Sequence, residues 1–564
     1  MKRLTLVLTL LLSLSLFATT VVHGNSSPAP VSQATLARYA DELLERNHRA
    51  DGPGAGVLVA RGDQVLFRAA RGEADIDAHV PLRPDALFRI GSMSKQFAAA
   101  GLLKLVEAGK VKLDDPLSRY VADFPGGDRI SVLQLLNHTS GVKSYTALPG
   151  YMDSTIRKDM TTAQLIDTFR REAPDFAPGT SWAYSNSSYV LVGAVIEAAS
   201  GQPWHAYLEE VLFKPLGMHH TGYGNDPRFA ARVIHGYSYD GDKVVPRRPL
   251  SMTQPHAAGA LVSNVDDLLT WNRALHEGRV LRPATYAQMI TPVGKAAERG
   301  AGYGFGLFRD SVRTSERIHH GGRIFGFIST LSYLPGPDIT VVVLENDDSN
   351  NGPDPAATMA CELAAMASGE PYPALKAIPV DLSELGAAEG VYRFAVGITR
   401  VLRLVDAHLT AQRSPRPRQI LTPIASDDYL YPDGFNRIKL ERDAGGRISG
   451  MRFLGNGDGV GELGVRTNDS LPAEPVAVQI PRAALERLAG TYANGGLTLK
   501  VYLDGEALKA QLPGQPPVSL RATSPTRFEV QEAEASLAFA TGDSPAAEVV
   551  MRQNGRELVL KRAP

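Results

Sequence analysis

The sequence predicts an α/β domain whose sheet is assembled from its first and last segments, followed by two small antiparallel β-barrels. Three observations carry this. Strand-like runs stand at both ends of the first 370 residues, with helical and loop signals between them. Beyond residue 370 the pattern changes to short alternating strands and turns. Inside that second part a faint repeat recurs, Leu385…Gly390-Val391-Tyr392 returning as Leu485…Gly490-Thr491-Tyr492.

The elements follow in order. Met1-Lys2-Arg3 and the uncharged, leucine-rich run Leu4–Phe17 read as a signal peptide over residues 1–24, cleaved near Gly24. No cysteine follows, so a lipoprotein anchor is excluded and a secreted or periplasmic protein is expected. No later stretch is long and apolar enough for a stable membrane span. A helix is expected over Ala34–Arg46. Val57–Ala60 and Val65–Ala69 flank the turn Arg61-Gly62-Asp63-Gln64 as a hairpin. The spacing of Phe97, Leu102, Leu103, Leu105 and Val106 predicts a helix over Ser92–Ala108, stopped by Gly109. Strands are expected at Gly304–Phe308, Ile318–Gly322, Phe327–Tyr333 and Thr340–Leu344, then a helix over Pro355–Ala367. The first domain therefore spans 25–370. Pro371, Pro373 and Pro379 mark a linker over 371–383, and the barrels occupy 384–467 and 483–564 with a second linker over 468–482.

Composition narrows the function. Lys and Arg number 59 against 60 Asp and Glu, which gives no support to nucleic-acid binding by bulk positive charge. Cys361 is the single cysteine, so an intramolecular disulfide and cysteine-rich metal sites are ruled out. Neither metal-ligand spacing nor a phosphate-binding glycine loop stands out. No cofactor and no metal are expected.

Acyl transfer without metal or cysteine needs a hydroxyl nucleophile, a base, an acid for the leaving atom and donors for the oxyanion. Ser92-Met93-Ser94-Lys95 supplies the first pair, because residues three apart share a helix face. A second copy, Ser140-Gly141-Val142-Lys143, sits in a glycine-containing turn and is read as a decoy. Tyr184-Ser185-Asn186 offers a phenol that can act as general base beside a lysine and an amide that can hold both lysine and substrate. Tyr492-Ala493-Asn494 is its decoy in the tail. His319-His320-Gly321-Gly322 offers an imidazole and glycines that allow close approach. Adjacent strand residues point to opposite faces, so either histidine fits. His276-Glu277-Gly278, at a probable helix end, is a further decoy.

Together these motifs resemble the penicillin-recognising serine hydrolases: class C β-lactamases, the related family VIII esterases, D-alanyl-D-alanine carboxypeptidases and D-aminopeptidase. The likeness covers residues 35–368. It extends through Phe88–Phe97, Leu113-Asp114-Asp115-Pro116-Leu117, Leu135–Gly141, Pro178–Asn186, Pro215-Leu216-Gly217-Met218 and Tyr303-Gly304-Phe305-Gly306. It implies a serine β-lactamase-like domain, with an antiparallel sheet, helices on both faces and an all-α subdomain. It implies Ser92 as the acylated nucleophile, Lys95 as its base and Tyr184 as the proton shuttle. It places Asn186 on the substrate, His319 at the third motif, and Gly321 and Gly322 at the substrate edge. The oxyanion hole maps to the N–H groups of Ser92 and Gly322. Which of Lys95 and Tyr184 is the free base stays open. If neutral His319 is needed, the rate should fall in acid below about pH 6.5. Histidine in place of the lysine of class C β-lactamases removes a permanent cation and looks more like the esterase and aminopeptidase branches. The tail resembles the two lipocalin-like barrels of D-aminopeptidase, with Pro513–Pro517 and Thr541–Pro545 as exposed loop candidates. The substrates implied are small peptides, amides or esters, cell-wall peptide among them.

Overall fold

The computed structural model describes residues 31–563 except 153, 241–242, 299–301, 350–354, 395–397, 414–417, 433, 456–460, 473–477, 479, 495–496, 506, 513–516, 531–534, 541–544 and 554–555. The expected signal peptide lies outside the described residues, as does most of both loop candidates of the tail.

Six strands make the central sheet: β1 (Ala55–Arg61), β2 (Gln64–Arg71), β3 (Phe308–Val312), β4 (Ser315–Ile324), β5 (Phe327–Leu334) and β6 (Ile339–Glu345). They are ordered β3-β4-β5-β6-β1-β2, every neighbour antiparallel. The first and last segments meet where β1 pairs β6, Val57 opposite Val343. Both are nearly continuous apolar runs, as strands covered on two faces must be. Alternation divides them between two cores. Val57, Val59, Val341 and Val343 face a core shared with helices α1 (Gln33–Asn47) and α5 (Pro355–Ala367). Leu58, Ala60, Val342 and Leu344 face a core shared with α2 (Ser94–Glu107), α3 (Asn186–Ser200) and α4 (Val265–His276). Ser32 caps α1 by accepting from Thr35 N, and Asn264 caps α4 by accepting from Asp267 N.

One expected strand does not form. Gly304–Phe308 is a turn, and the first strand of this group starts at Phe308. Gly306 has φ +74°, a left-handed conformation that breaks an extended run.

The tail holds two antiparallel sheets, each with its own core. The first has nine strands between Gly390 and Arg466 and is a nearly closed barrel, with its seam where Leu421 separates Gln419–Ile420 from Thr422–Ala425. The second is a closed barrel of eight strands from Gly490 to Arg562. The faint repeat has a physical basis. In each unit a short helix precedes a Gly-x-Tyr strand, and the buried tyrosine donates to a carbonyl four residues back: Tyr392 to Ala388 O and Tyr492 to Leu488 O, both at 2.7 Å.

Candidate active site

The nucleophile turn is built by close backbone approach. Gly91-Ser92-Met93 is a 3-10 turn that leads into α2, so Ser92 and Lys95 stand one turn apart across its start. Phe88–Arg89 pairs with Leu261–Ser263, and Ile90 N bonds Leu261 O at 3.1 Å. Strand β4 lies against the other side. A Cβ on Gly322 would stand 2.0 Å from Ile90 O, and one on Gly91, whose φ is +50°, would stand 3.1 Å from Arg323 N. Glycine is required at both positions because two backbones touch there.

Lys95 is fully buried. Its Nζ lies 3.1 Å from Ser92 Oγ, 2.8 Å from Asn186 Oδ1 and 2.8 Å from Ala258 O. It also stands over the rings of Tyr184 and Tyr189, at 4.7 and 5.5 Å from their centroids. The ring faces favour an ammonium. Burial opposes it and dominates, holding Lys95 well below its ordinary value. A neutral amine donates two bonds and accepts one. Asn186 Oδ1 and Ala258 O can only accept, so Ser92 Oγ–H is the natural donor to the lone pair.

Tyr184 is likewise enclosed. Burial raises its phenol above the ordinary value, with the neighbouring Ser92 hydroxyl opposing. Tyr184 Oη has no hydrogen-bond partner of good geometry among the described residues. Asn186 is oriented from both ends, since its Nδ2 donates to Thr146 Oγ1 at 3.0 Å while its Oδ1 holds Lys95.

The third motif resolves by parity. Ile318, His320, Gly322 and Ile324 are buried on one face of β4. His320 lies 6.2 Å from Tyr184 between ring centroids and bonds the Tyr303 hydroxyl at 3.2 Å through Nε2. His319, the expected histidine, points the other way: its Nε2 meets Asp310 Oδ2 at 3.2 Å and its ring stacks on Phe308. The assignment of His319 to the site is therefore corrected to His320. Gly322 packs beneath Ile90, and Arg323, one residue on, lines the cavity together with Ser92 and has its backbone N close to Gly91. Gly321 sits on the opposite face, near Ser329 O and Thr330. Burial holds both imidazoles low, His320 down to about 3 and His319 lowered despite Asp310.

The decoys separate cleanly. Ser140 Oγ bonds Ser188 Oγ at 2.9 Å, while Lys143 pairs with Asp175. His276 bonds the Tyr286 hydroxyl. The neighbours that motif reading missed are Tyr303, Thr146 and His138. His138, with φ +62°, accepts from Ser185 N and packs at a tilt against Tyr184, 4.4 Å between ring centroids.

Ser92 and Asn186 open into a cavity of about 340 Å³, walled by Tyr145, Met152, Ile156, Tyr239, Leu250 and Phe325, with Arg247 and Asp348 adding charge. Arg247 pairs Asp348 at 3.1 Å and stacks on Phe325. Among the described residues no cluster of three or more His, Cys, Asp or Glu could hold a metal, and no helix is long and apolar enough to cross a membrane.

Known proteins share this arrangement of chain. The Beta-lactamase family model matches residues 36–366. Esterase EstB of Burkholderia gladioli is 33% identical over 312 residues, covering 48% of this chain and 79% of EstB. D-aminopeptidase of Gluconobacter oxydans (strain 621H) is 28% identical over 356 residues, covering 61% of this chain and 64% of that enzyme. The crystal structure of D-amino acid amidase from Ochrobactrum anthropi SV3 with D-phenylalanine superposes with TM-score 0.52 at 28% identity, over 60% of this chain and 98% of that one. With the matched segment spanning more than half its length, the chain belongs to the Beta-lactamase family and is a serine hydrolase.

Proposed function

We propose that Ser92 is the acylated nucleophile of an exported hydrolase that cleaves amide bonds in small substrates, amides and peptides of D-amino acids first among them. The observation that carries the reading is the buried Lys95 amine, bonded at once to Ser92 and Asn186. Ser92 Oγ attacks the carbonyl carbon and its proton passes to Lys95 Nζ. The oxyanion is held by the N–H groups of Ser92 and Arg323. The carbon–nitrogen bond breaks as Tyr184 gives its proton to the leaving nitrogen and is reprotonated from Lys95. Water then attacks the acyl-enzyme. One of its protons returns through the same pair to Ser92 Oγ, freeing the acid. His320, neutral and turned to Tyr303, supports the strand without taking a proton.

The kinship with a D-aminopeptidase and a D-amino acid amidase supports the amide reading. The likeness to EstB supports a second, an esterase using the same residues on an easier bond. A fluorophosphonate probe is expected to label the wild-type protein at Ser92 and not the Ser92→Ala variant. Label that survives this change, or moves to Ser140, removes the assignment. A panel of D-amino-acid amides, D-Ala-D-Ala peptides and short p-nitrophenyl esters separates the two readings. Turnover confined to esters rejects the amidase.

A further inference from the structure

We propose that Tyr303 is a positioning residue for this acyl transfer: its hydroxyl donates to His320 Nε2 and fixes that imidazole as the neutral Nδ1–H tautomer, whose own N–H braces the Gly321–Arg323 segment against the Ser92 turn. The inference rests on the acyl-enzyme reading for its consequence, though not for its geometry.

Hydrogen-bond bookkeeping assigns the tautomer. His320 Nδ1 is within hydrogen-bonding distance of Gly321 O, and a carbonyl only accepts, so Nδ1 carries a proton. His320 is 2% exposed, and burial opposes a second proton. Nε2 is therefore a lone pair, and the Tyr303 hydroxyl 3.2 Å away is its donor. The competing acceptor is Tyr189 Oη, which neighbours the Tyr303 hydroxyl. A phenol oxygen is the weaker acceptor, and Tyr189 spends its own proton on Leu136 O at 2.8 Å.

Tyr303 is itself held rigidly. It is fully buried, packed edge-on against Phe308 at 4.6 Å and beside His138 at 4.7 Å between ring centroids. The turn that follows is pinned by Gly304 N to Leu307 O at 2.9 Å and Phe305 N to Met289 O at 2.8 Å. A brace on the Gly321 carbonyl matters because the next two residues form the contact with the nucleophile turn, Gly322 against Ile90 O and Arg323 N against Gly91. Small displacements there move an oxyanion donor, and such errors are costly in rate. The third motif thus acts here as a neutral prop for the backbone.

The test reads the tautomer directly. The whole protein is labelled with ¹⁵N-histidine, and the imidazole nitrogens of residue 320 are assigned by their loss in His320→Gln. The expected wild-type pattern is a protonated Nδ1 and a pyridine-like Nε2 at pH 7. In Tyr303→Phe, which keeps the ring, the Nε2 resonance shifts as its donor disappears. The rate of a short p-nitrophenyl ester should then fall roughly fivefold to tenfold in kcat, the worth of about one hydrogen bond, with KM within twofold. Label of Ser92 by fluorophosphonate should still reach completion. A protonated Nε2 in the wild type overturns the proposal, even should Tyr303→Phe prove insoluble. So does a folded Tyr303→Phe with unchanged kcat. Absence of label and turnover in the wild type would instead remove the acyl-enzyme reading and leave the tautomer assignment to stand on its spectrum.

Discussion

At the scale of single residues the site is governed by burial. Lys95 would be a cation in water; here it is sealed beneath Ser92, with Ala258 O and Asn186 taking its two protons. Its value is lowered, so the form that the proposed acyl transfer uses is the neutral amine, present above its pKa and lost as pH falls through it. The activity of the protein should therefore decline in acid, and the limb belongs to the Lys95–Tyr184 pair as a coupled system. His320 takes its proton only near pH 3. The pH profile of kcat/KM for His320→Gln is accordingly expected to keep the wild-type position of its acid limb at a lower rate. A limb displaced by a unit or more would make His320 a titrating participant. Much of this was legible in the sequence. Ser92, Lys95, Tyr184 and Asn186 stand together as their spacing and family likeness imply. The histidine pair, open on spacing alone, also carries a signal that separates it: Ile318 and Ile324 share the parity of His320, and apolar residues at every second position mark the buried face of a strand. Thr146 carried no such signal, and Tyr303, though part of the family likeness, gave no sign of its contact with His320, because the course of both segments is fixed by distant contacts.

At the scale of elements the decisive feature is one strand pressed against one turn. Strand β4 reaches the 90–92 segment only because Gly322 lacks a side chain; its Cβ would lie 2.0 Å from Ile90 O and 2.6 Å from Ser329 Oγ. Backbone atoms cannot swing aside, so Gly322→Ala must separate the strand from the turn. The expected cost is about 3 kcal/mol or more, with esterase activity lost alongside. Gly91→Ala meets Arg323 N at a looser 3.1 Å and adds the strain of a left-handed φ, for about 1–3 kcal/mol. Thermal melting of the two variants should rank them in that order, and a Gly322→Ala protein with wild-type melting and rate would refute the tight contact. The same element shows where sequence reading of the fold succeeds and fails. Strands β1 and β6 were plain because an apolar run covered on both faces has few alternatives. The turn at Gly304–Phe308 reads as a strand because Tyr303, Phe305 and Leu307 alternate with glycines. Alternation of that kind satisfies the period-two pattern while Gly306 breaks the extended conformation.

At the scale of the whole molecule the question is what the two barrels contribute. Each closes on its own apolar cluster. The cavity beside Ser92, among the described residues, is walled entirely by residues between Gly91 and Ser349. Two contacts among the described residues that tie the first barrel to the preceding chain lie away from it: Phe435 packs against Tyr372 at 4.7 Å between ring centroids, and Ile378 N bonds Pro423 O at 2.9 Å. A chain ending at residue 380 keeps both cores of the sheet, along with Tyr372, and loses the Phe435 ring packed against it. It should fold, melt slightly below the full-length protein, and hydrolyse a short p-nitrophenyl ester within about threefold of the full-length rate, the range expected when only surface contacts are removed. Larger peptide substrates supply the contrast: a selective loss on these, with the short ester unaffected, would assign the barrels to substrate selection beyond the cavity. A truncated protein that melts cooperatively yet fails on the short ester would show that the tail completes the reacting site itself, contrary to the lining of the cavity.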